Sequence, residues 1–571
     1  MIRRSVASVG LALLVILICA VSPVVAASKP NLVLITLDSA RADRMGFLGA
    51  NSALTPNLNH LAAESIVFDH AYAQAPGTVA SHASILSGSY PQSTGLSEIG
   101  GILTPSLPFL PELLKAQGYH TAAFVGSIEL DPWNGLAQGF DRGFQSYDAG
   151  FRPVSAGDSR PPVTERSGAE VVARAITWLS HNNPSQNNQG PFFLWVHLND
   201  ASAAHASYNA ALTAADAAVG KLIGALKQQK LDGNTAVVVV ADHGQSLGAH
   251  GEDAHGIFLY DEAIHVPLLI KLPEAQPSTK PVTAKVRLVD VAPTLLEIAV
   301  IPVPSQMQGQ SLLRIAKSGG GGDQPVYSRG DLSQRGFGWS PLESWRASKY
   351  LYIRAPKPEL YDMTADPGAT HNLAASSKAT LDTLAGQLDS FDRKFSGDTG
   401  KSACGLSSAE MQKLRSLGYV SAPQCSGHAA AVAGTDPKDK IATANKVIEA
   451  AATAKPDRVV AALAPVSSAD PNLYLAEYTL GVAQAQKGQF AEAAKHLHKA
   501  IELQADSGWA NYEIGAVLLK TGDFKTAAVH LEIAAGRLPG FAAVHGALGQ
   551  AYEHLGRSDD AKREQAKAEK K

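Results

Sequence analysis

Two near-continuous apolar segments separated by an amphipathic helix constrain the fold of this chain more than any other feature. The segments are "PFFLWVHL" over 191–198 and "TAVVVVA" over 235–241, and "NLVLIT" over 31–36 is a third of the same kind. Between the first two, 209–229 has the apolar spacing of a helix. Short apolar runs of this kind suit strands that are buried on both faces. The order strand–helix–strand therefore predicts an α/β domain with a mainly parallel sheet sandwiched by helices.

The composition is that of a globular protein that can bury a sizeable core. Apolar residues make up 45% of the 571-residue chain, charged residues 18%, and the net charge is −3. A nucleic-acid-binding protein of this size is expected to carry a basic face, and no such excess of charge is present. The composition therefore excludes nucleic acid as a predicted partner.

The N-terminal segment 1–27 has the pattern of an export signal. Arg3 and Arg4 precede the uncharged apolar run "VGLALLVILICAV", and small residues follow it. The alternative is a retained anchor, because 6–27 is long enough to span a bilayer. Both interpretations predict an exported protein, periplasmic or extracellular, which is tethered to the membrane only if the segment is retained.

A linker is predicted over 396–436, where Gly, Ser, Ala and Pro are frequent. It contains Cys404 and Cys425, the two cysteines that remain after removal of the signal. In an exported chain such a pair predicts a disulfide, and two unpaired thiols are the alternative.

An internal repeat of 34 residues occupies the C-terminal region 437–571. Gly481, Gly515 and Gly549 recur at this period, within predicted copies over 471–504, 505–538 and 539–571. A degenerate copy over 437–470 is expected to keep only the second helix. The period and pattern resemble tetratricopeptide repeats, and a generic helical bundle is the alternative. The resemblance implies an all-α solenoid that binds a protein or peptide partner.

Acidic residues and histidines follow the predicted strands of the α/β domain. Asp38 follows the first strand, and Asp242 and His243 follow the strand over 235–241; Asp200 and His205 come after the strand over 191–198. The carboxyl ends of parallel strands meet at one edge of a sheet, where ligands bind. A mixed set of carboxylates and imidazole suits Zn²⁺ or Mn²⁺ better than Ca²⁺. We therefore expect a divalent-metal site at this edge.

Thr78, in the stretch "APGTVASHASILSGSYP" over 75–91, is a candidate both for the fourth metal ligand and for the nucleophile. A threonine hydroxyl is a weak nucleophile near neutral pH, and coordination by a metal activates it. The predicted helix after Thr78 would direct free N–H groups towards a bound anionic ester. The alternative is that Thr78 only caps this helix.

Motifs spread over 29–375 resemble the sulfatase branch of the alkaline phosphatase superfamily, which predicts a sulfatase-like domain over 28–395. They include "NLVLITLDSARADRMGFLG", the stretch around Thr78, "AVVVVADHGQSLGAHGEDAHGIFLYDEAIHVPLLIKLP" and "ELYDMTADPGATHNLA". The resemblance implies an alkaline-phosphatase-like fold and assigns a role to each matching residue. Asp38, Asp242 and His243 match metal ligands, Thr78 the nucleophile, and His255 a group near the leaving oxygen.

This chain departs from the sulfatase pattern at the nucleophile. Sulfatases carry a Cys or Ser that is oxidised to formylglycine, and an Arg four residues later, where this chain has Thr78 and His82. A Thr with a following His is similar to nucleotide pyrophosphatase/phosphodiesterase relatives, which favours phosphoryl transfer over sulfate. Ser39 replaces a common acidic residue, in agreement with a transition metal. Ser202 replaces a substrate-contacting His.

Two hypotheses of different classes follow from these patterns. The leading one is a metal-dependent hydrolase or transferase of phosphate or sulfate esters, with Thr78 as nucleophile, His82 in the catalytic site, and His255 or His205 as the proton donor to the leaving oxygen. Asp200 and His205 are candidates for a second metal site or for substrate contacts. The alternative is a catalytically decayed scaffold whose repeats bind a protein partner.

Overall fold

The computed structural model describes most of the chain outside its N-terminal segment and its linker. The described residues are 29–152, 163–184, 190–202, 207–273, 280–317, 323–395, 408–417, 434–453 and 455–569. The predicted signal over 1–27, the Cys404–Cys425 pair and His205 lie outside these ranges. Within them, no helix combines the length and the hydrophobicity needed to cross a membrane.

The main sheet has eight strands in the described residues, in the order β10-β2-β9-β8-β1-β7-β5-β6. Two further strands, β3 and β4, form a separate hairpin. The ten strands are β1 (Asn31–Leu37), β2 (Ile66–Tyr72), β3 (Leu96–Ser97), β4 (Gly100–Gly101), β5 (His120–Phe124), β6 (Ser146–Asp148), β7 (Phe192–Leu198), β8 (Thr235–Ala241), β9 (His265–Lys271) and β10 (Val286–Arg287). β9 runs antiparallel to both β2 and β8, and the other neighbours are parallel. The sheet is therefore mixed only through β9, and the prediction of a mainly parallel sheet is confirmed for the other neighbours.

Helices of the α/β domain pack on this sheet in two groups. The helices within each group contact one another. One group consists of α1, α5 and α6, and the other of α2, α4 and α8. The helices are α1 (Pro56–Ala62), α2 (Thr78–Ser87), α3 (Pro91–Thr94), α4 (Leu110–Ala116), α5 (Gly168–His181), α6 (Tyr208–Gln228), α7 (Asp261–Ile264), α8 (Val291–Ile298), α9 (Leu313–Lys317), α10 (Leu332–Phe337) and α11 (Lys378–Phe395). All residues of β1, β7 and β8 are buried, as their apolar runs predicted.

A second sheet, which the sequence did not predict, follows the main one along the chain. Its strands form an antiparallel meander of β11 (Val326–Gly330), β12 (Leu342–Ala347), β13 (Tyr350–Arg354) and β14 (Glu359–Asp362). α11 packs against β12 and β13. The Arg354 guanidinium pairs with Glu343 at 2.9 Å and with Asp392 at 2.7 Å, so charged side chains join the sheet to this helix.

The C-terminal region is helical. Its helices are α12 (Ser408–Ser416), α13 (Ile441–Ala451), α14 (Pro456–Ala469), α15 (Tyr474–Gln486), α16 (Phe490–Leu503), α17 (Gly508–Thr521), α18 (Phe524–Arg537), α19 (Ala542–His554) and α20 (Ser558–Ala568). Successive helices from α13 onwards pack against each other. The expectation that 437–470 keeps only a second helix is wrong, because α13 also forms there and buries Ala444, Val447 and Ala450.

The helical region packs closely against the α/β domain. Apolar residues of α13–α15, among them Val447 and Leu463, belong to the same buried cluster as the main sheet. The Asn445 side-chain amide donates to the Gly251 carbonyl at 2.8 Å, and Arg335 lies 3.6 Å from Asp506. The two regions are therefore joined by a packed interface as well as by the predicted linker.

Two helical glycines in this region are expected to respond in opposite directions to alanine. A Cβ at Gly515 in α17 would lie 2.6 Å from Leu531 Cγ, whereas a Cβ at Gly546 in α19 would meet no atom within 4 Å. We expect Gly515→Ala to destabilise the region by about 1–3 kcal/mol through overpacking. Gly546→Ala should stabilise it by up to about 1 kcal/mol, because alanine favours the helix. Melting curves and hydrogen exchange in α17 and α19 measure both effects, and shifts of the same sign would contradict the close packing at Gly515.

Candidate active site

The register of the central strands brings Asp38 and Asp242 side by side. Leu37, the last residue of β1, is paired with Leu198 of β7 and Ala241 of β8. The next residue on each strand therefore emerges at the same edge of the sheet. The Asp38 N–H donates to the Leu198 carbonyl at 2.9 Å, and the Asp242 N–H to the Leu37 carbonyl at 3.3 Å. Both carboxylates are buried, with 1% and 0% exposure respectively.

Asp38, Asp242 and His243 form the metal-ligand group that the sequence predicted. One ligand atom from each lies within 4.8 Å of the others. His243 Nδ1 lies 2.8 Å from the Gly244 carbonyl oxygen, which only accepts, so Nδ1 carries the proton and Nε2 offers a lone pair. Metal-bound histidines are commonly held in this way.

The electrostatics of the two carboxylates fit a bound cation. Burial opposes ionisation of Asp38, but the close imidazoles of His197 and His243 hold its pKa below the usual value. Burial and the neighbouring charge of Asp38 raise the pKa of Asp242 well above the usual value. Asp242 Oδ2 is buried and has no hydrogen-bond partner. A cation between these groups would satisfy that oxygen and remove the repulsion.

Ser39 contributes to the site in a way that the sequence analysis missed. Its φ of 56° lies in the left-handed region, which is unusual for a residue with a side chain. This backbone lets its N–H donate to Asp242 Oδ1 at 3.2 Å, while its hydroxyl donates to Asp38 Oδ1 at 2.8 Å. Ser39 therefore fixes both carboxylates, and local strain of this kind is often retained at functional sites.

Thr78 lies at the start of α2 with its hydroxyl directed towards the metal-ligand group. Gly77 is the N-cap residue, and Thr78 is the first residue of the helix. Thr78 Oγ1 lies 3.2 Å from Asp38 Oδ2 and 3.2 Å from His243 Nε2. The hydroxyl thus contacts side chains of the group, which contradicts the alternative of a simple helix cap.

His82 lies on α2, on its buried side, with 0% exposure. Its Nδ1 donates to the Thr78 carbonyl at 2.8 Å, and its Nε2 then accepts from the Thr36 hydroxyl at 3.0 Å. Burial and the nearby His197 lower the pKa of His82 well below the usual value, so the imidazole is neutral. His82 holds α2 in place; it does not supply the charge of the Arg found there in sulfatases.

His255 is partly buried beside the group, and its ring centroid lies 4.3 Å from that of His243. Its Nδ1 donates to Gln245 Oε1 at 2.6 Å. Burial and the neighbouring His243 lower the pKa of His255 to about 3, so it is neutral near pH 7. With Nδ1 on Gln245, Nε2 is the nitrogen that remains for the substrate, and its role as proton donor to the leaving oxygen stays a prediction.

Asp200 is used by the backbone of α5. Both of its carboxylate oxygens accept from the Gly168 N–H, at 3.1 and 3.0 Å, and burial raises its pKa. In the described residues Asp200 does not belong to a metal-ligand group. The prediction of a second metal site therefore has no support at Asp200, and His205 lies outside the described ranges. The sequence suggested a metal ligand because an acidic residue at the end of a strand looks the same whether it binds a metal or a backbone N–H.

Two further acidic residues near Thr78 were missed by the sequence analysis. Glu98 lies on the turn between β3 and β4, and its Oε1 accepts from the Ala80 N–H at 3.1 Å. Glu129 lies within hydrogen-bonding reach of Thr78, and burial and the charge of Asp38 raise its pKa to about 7. No local pattern marks either residue, because both reach α2 through loops that are distant in the sequence.

A cleft of about 1210 Å³ extends from the start of α2 to the C-terminal helices. Its lining includes Ala80 and Glu98, together with Lys499 and Trp509 of the helical region. The helical region therefore borders the cleft that reaches the start of α2.

Comparison with solved structures places the fold in the alkaline-phosphatase-like class. A 2-O GAG sulfatase matches with a TM-score of 0.54 and 21% identity, covering 65% of this chain and 93% of that chain. The phosphonate monoester hydrolase of Agrobacterium radiobacter matches with a TM-score of 0.51 and 17% identity, covering 64% and 96%. At these identities the likeness shows the fold alone.

Sequence comparison gives the family. Residues 30–301 match the Sulfatase family profile, and 254–393 match the profile described as N-sulphoglucosamine sulphohydrolase, C-terminal. An ulvan-active sulfatase of Formosa agariphila is 28% identical over 63% of this chain and 80% of its own length. The pig N-acetylgalactosamine-6-sulfatase is 26% identical over 63% of this chain and 84% of its own length. The chain therefore carries a sulfatase domain of the hydrolase class, and members of the sulfatase family bind a divalent metal.

Proposed function

We propose that this protein is a metal-dependent hydrolase that cleaves an anionic ester through a covalent intermediate on Thr78, with phosphoryl transfer favoured over transfer of sulfate. The observation that carries the proposal is the position of Thr78 Oγ1, 3.2 Å from both Asp38 Oδ2 and His243 Nε2. A threonine is not a precursor of formylglycine, so the family's usual nucleophile is not available at this position. The hydroxyl itself therefore attacks.

Asp38, Asp242 and His243, with Thr78, would hold the metal, and their oxygen and nitrogen donors favour Zn²⁺ or Mn²⁺ over Ca²⁺. When bound, the cation lowers the pKa of the Thr78 hydroxyl and neutralises negative charge on the ester. His82 and Ser39 act as positioning residues, because they hold the backbone of α2 and the two carboxylates.

The reaction proceeds in two steps. Thr78 Oγ1 attacks the phosphorus or sulfur atom in line, its bond to that atom forms as the bond to the alcohol oxygen breaks, and its proton passes to Glu129. The alcohol oxygen takes a proton from water in the cleft. Water then attacks the phosphorus or sulfur atom, and the bond to Thr78 Oγ1 breaks as the new bond forms. Thr78 Oγ1 regains its proton from Glu129, and His255 Nε2 takes the proton of the attacking water and passes it to the hydroxide left by the first step.

The intact ligand group favours an active enzyme over the decayed scaffold, because Asp38, Asp242 and His243 remain together and Thr78 faces them. We further propose that the helix pairs α15–α20, with their repeat of 34 residues, are tetratricopeptide repeats that bind a protein or peptide partner. Export through the N-terminal signal is part of the same proposal and rests on the sequence pattern alone.

The proposal is tested by assaying the metal-loaded full chain on 4-nitrophenyl esters that differ in the transferred group. We expect hydrolysis of an aryl phosphate diester to be faster than that of the aryl sulfate, because the nucleophile is a plain alcohol. A denatured reaction mixture should contain a phosphorylated Thr78 by mass spectrometry. A protein that binds no stoichiometric metal and hydrolyses none of the esters would favour the hypothesis of a catalytically decayed scaffold.

A further inference from the structure

We propose that Glu98 is a specificity-determining residue that restricts this site to esters whose transferred group carries a single negative charge, such as a phosphate diester or a sulfate ester. Phosphate monoesters, which carry two charges, would be disfavoured. The inference rests on the proposed reaction at Thr78 and narrows the substrate class of the same site.

Glu98 uses the hydrogen-bond donors that an anionic ester would otherwise receive from α2. The first N–H groups of a helix have no partner within the helix and attract anions. Here the Ala80 N–H donates to Glu98 Oε1 at 3.1 Å, and the Val79 N–H also interacts with this carboxyl group. Fewer donors therefore remain for a second anionic oxygen of the substrate.

The position of Glu98 is fixed by the fold on both sides. Ser97 pairs with Gly100 across the β3–β4 hairpin, so Glu98 and Ile99 form its two-residue turn. Ile99 packs against the apolar cluster of the C-terminal helices. On the other side, a Cβ at position 77 would lie 2.3 Å from Glu98 Cδ, so Gly77 provides the space that the carboxyl group occupies.

No basic side chain compensates for this carboxyl group. In the described residues, the hydrogen bonds and ion pairs of Glu98, Asp38 and Asp242 include no Lys or Arg. The basic residues of the cleft already have acidic partners: Arg329 with Glu343 at 2.9 Å, Arg335 with Asp506 at 3.6 Å, Lys499 with Glu502 at 3.2 Å and Arg537 with Glu410 at 3.1 Å. Beyond the charge that the bound metal neutralises, a second charge on the ester would therefore meet carboxyl groups and no basic side chain that lacks an acidic partner.

The ionisation of Glu98 reports the same local field. Burial, followed by the nearby Glu129 and Asp331, raises the pKa of Glu98 to about 8. Surroundings that oppose a charge on this carboxyl group also oppose an additional charge on a substrate bound beside it.

The test compares three esters with one leaving group: 4-nitrophenyl sulfate, methyl 4-nitrophenyl phosphate and 4-nitrophenyl phosphate. We expect Glu98→Ala, which frees the Ala80 N–H, to raise kcat/KM for the doubly charged phosphate monoester by about tenfold or more, and to change that for the singly charged esters by less than about threefold. Glu502→Ala, in the lining of the same cleft, is the matched control and should leave the ratio unchanged. An unchanged ratio in Glu98→Ala, or a wild-type preference for the monoester, overturns the proposal.

Binding to metal-loaded Thr78→Ala protein separates this inference from the nucleophile assignment, because it needs no turnover. Calorimetric titration should show tighter binding of methyl sulfate than of inorganic phosphate near pH 8, and Glu98→Ala in the same background should improve phosphate binding. If methyl sulfate does not bind more tightly than phosphate, but turnover still depends on Thr78, the role of Glu98 in charge selectivity is overturned and the nucleophile assignment stands. If methyl sulfate does bind more tightly, but Thr78→Ala still turns over the esters, the nucleophile assignment is overturned and the role of Glu98 stands.

Discussion

Thr78→Ala is expected to lower kcat/KM of the metal-loaded enzyme by at least about a thousandfold, because it removes the attacking oxygen. The hydroxyl lies 3.2 Å from Asp38 Oδ2 and from His243 Nε2, and the nearby Glu129 is the acceptor for its proton. Steady-state kinetics on the best ester of the panel measure the loss. Thr78→Ser keeps a hydroxyl at the start of α2 and should retain activity to within about tenfold.

The matched control for this substitution is Ser84→Ala. Ser84 is buried on the same helix, but its hydroxyl donates to the Ala80 carbonyl at 3.2 Å and contacts no residue of the ligand group. It should keep near-wild-type kinetics. Circular dichroism should match in all three variants, and all are assayed at saturating metal, with metal content checked by elemental analysis, because Thr78→Ala also removes a proposed metal ligand. Wild-type activity in Thr78→Ala, with normal metal content, would show that another group attacks the ester.

Asp242→Asn is expected to weaken metal binding by at least about a hundredfold, since even residues that only orient metal ligands contribute about 10–100-fold to affinity. The substitution removes the charge of a buried carboxyl group whose Oδ2 has no other hydrogen-bond partner, and turnover should be lost with the metal. Equilibrium dialysis with elemental analysis measures affinity directly and does not depend on the choice of ester.

Asp200→Asn is the control for the metal prediction. An asparagine oxygen still accepts from the Gly168 N–H that Asp200 binds, and Asp200 is not in the ligand group. The variant should therefore bind metal as the wild type does. If Asp200→Asn and Asp242→Asn lose metal to a similar extent, Asp200 is a metal ligand after all. If Asp242→Asn keeps its full metal content, the proposed ligand set is wrong.

The sequence predicted the central strands and the ligand group well, because both depend on local patterns. The runs ending near Leu37 and Ala241 are long, apolar and bounded, and parallel neighbours bring the following residues to one edge of the sheet. It predicted the contacts of individual residues less well. His255 Nδ1 donates to Gln245 Oε1, and Asp200 binds the backbone of α5. Both contacts depend on partners that a motif does not specify.

The sequence by itself determined the α/β domain, the helical C-terminal region, and the carboxylates, imidazole and hydroxyl around Thr78, because periodicity and strand-end position are encoded locally. Only the tertiary structure decided the antiparallel placement of β9, the second sheet, and the packing of the helices against the α/β domain. It also placed Glu98 on the Ala80 N–H and buried the His82 side chain between α2 and Thr36 of β1. These features arise from contacts between residues that are distant in the chain. Such contacts depend on how the shapes and buried surfaces of different helices and strands fit together, so they leave no periodic signal in the sequence of any single helix or strand.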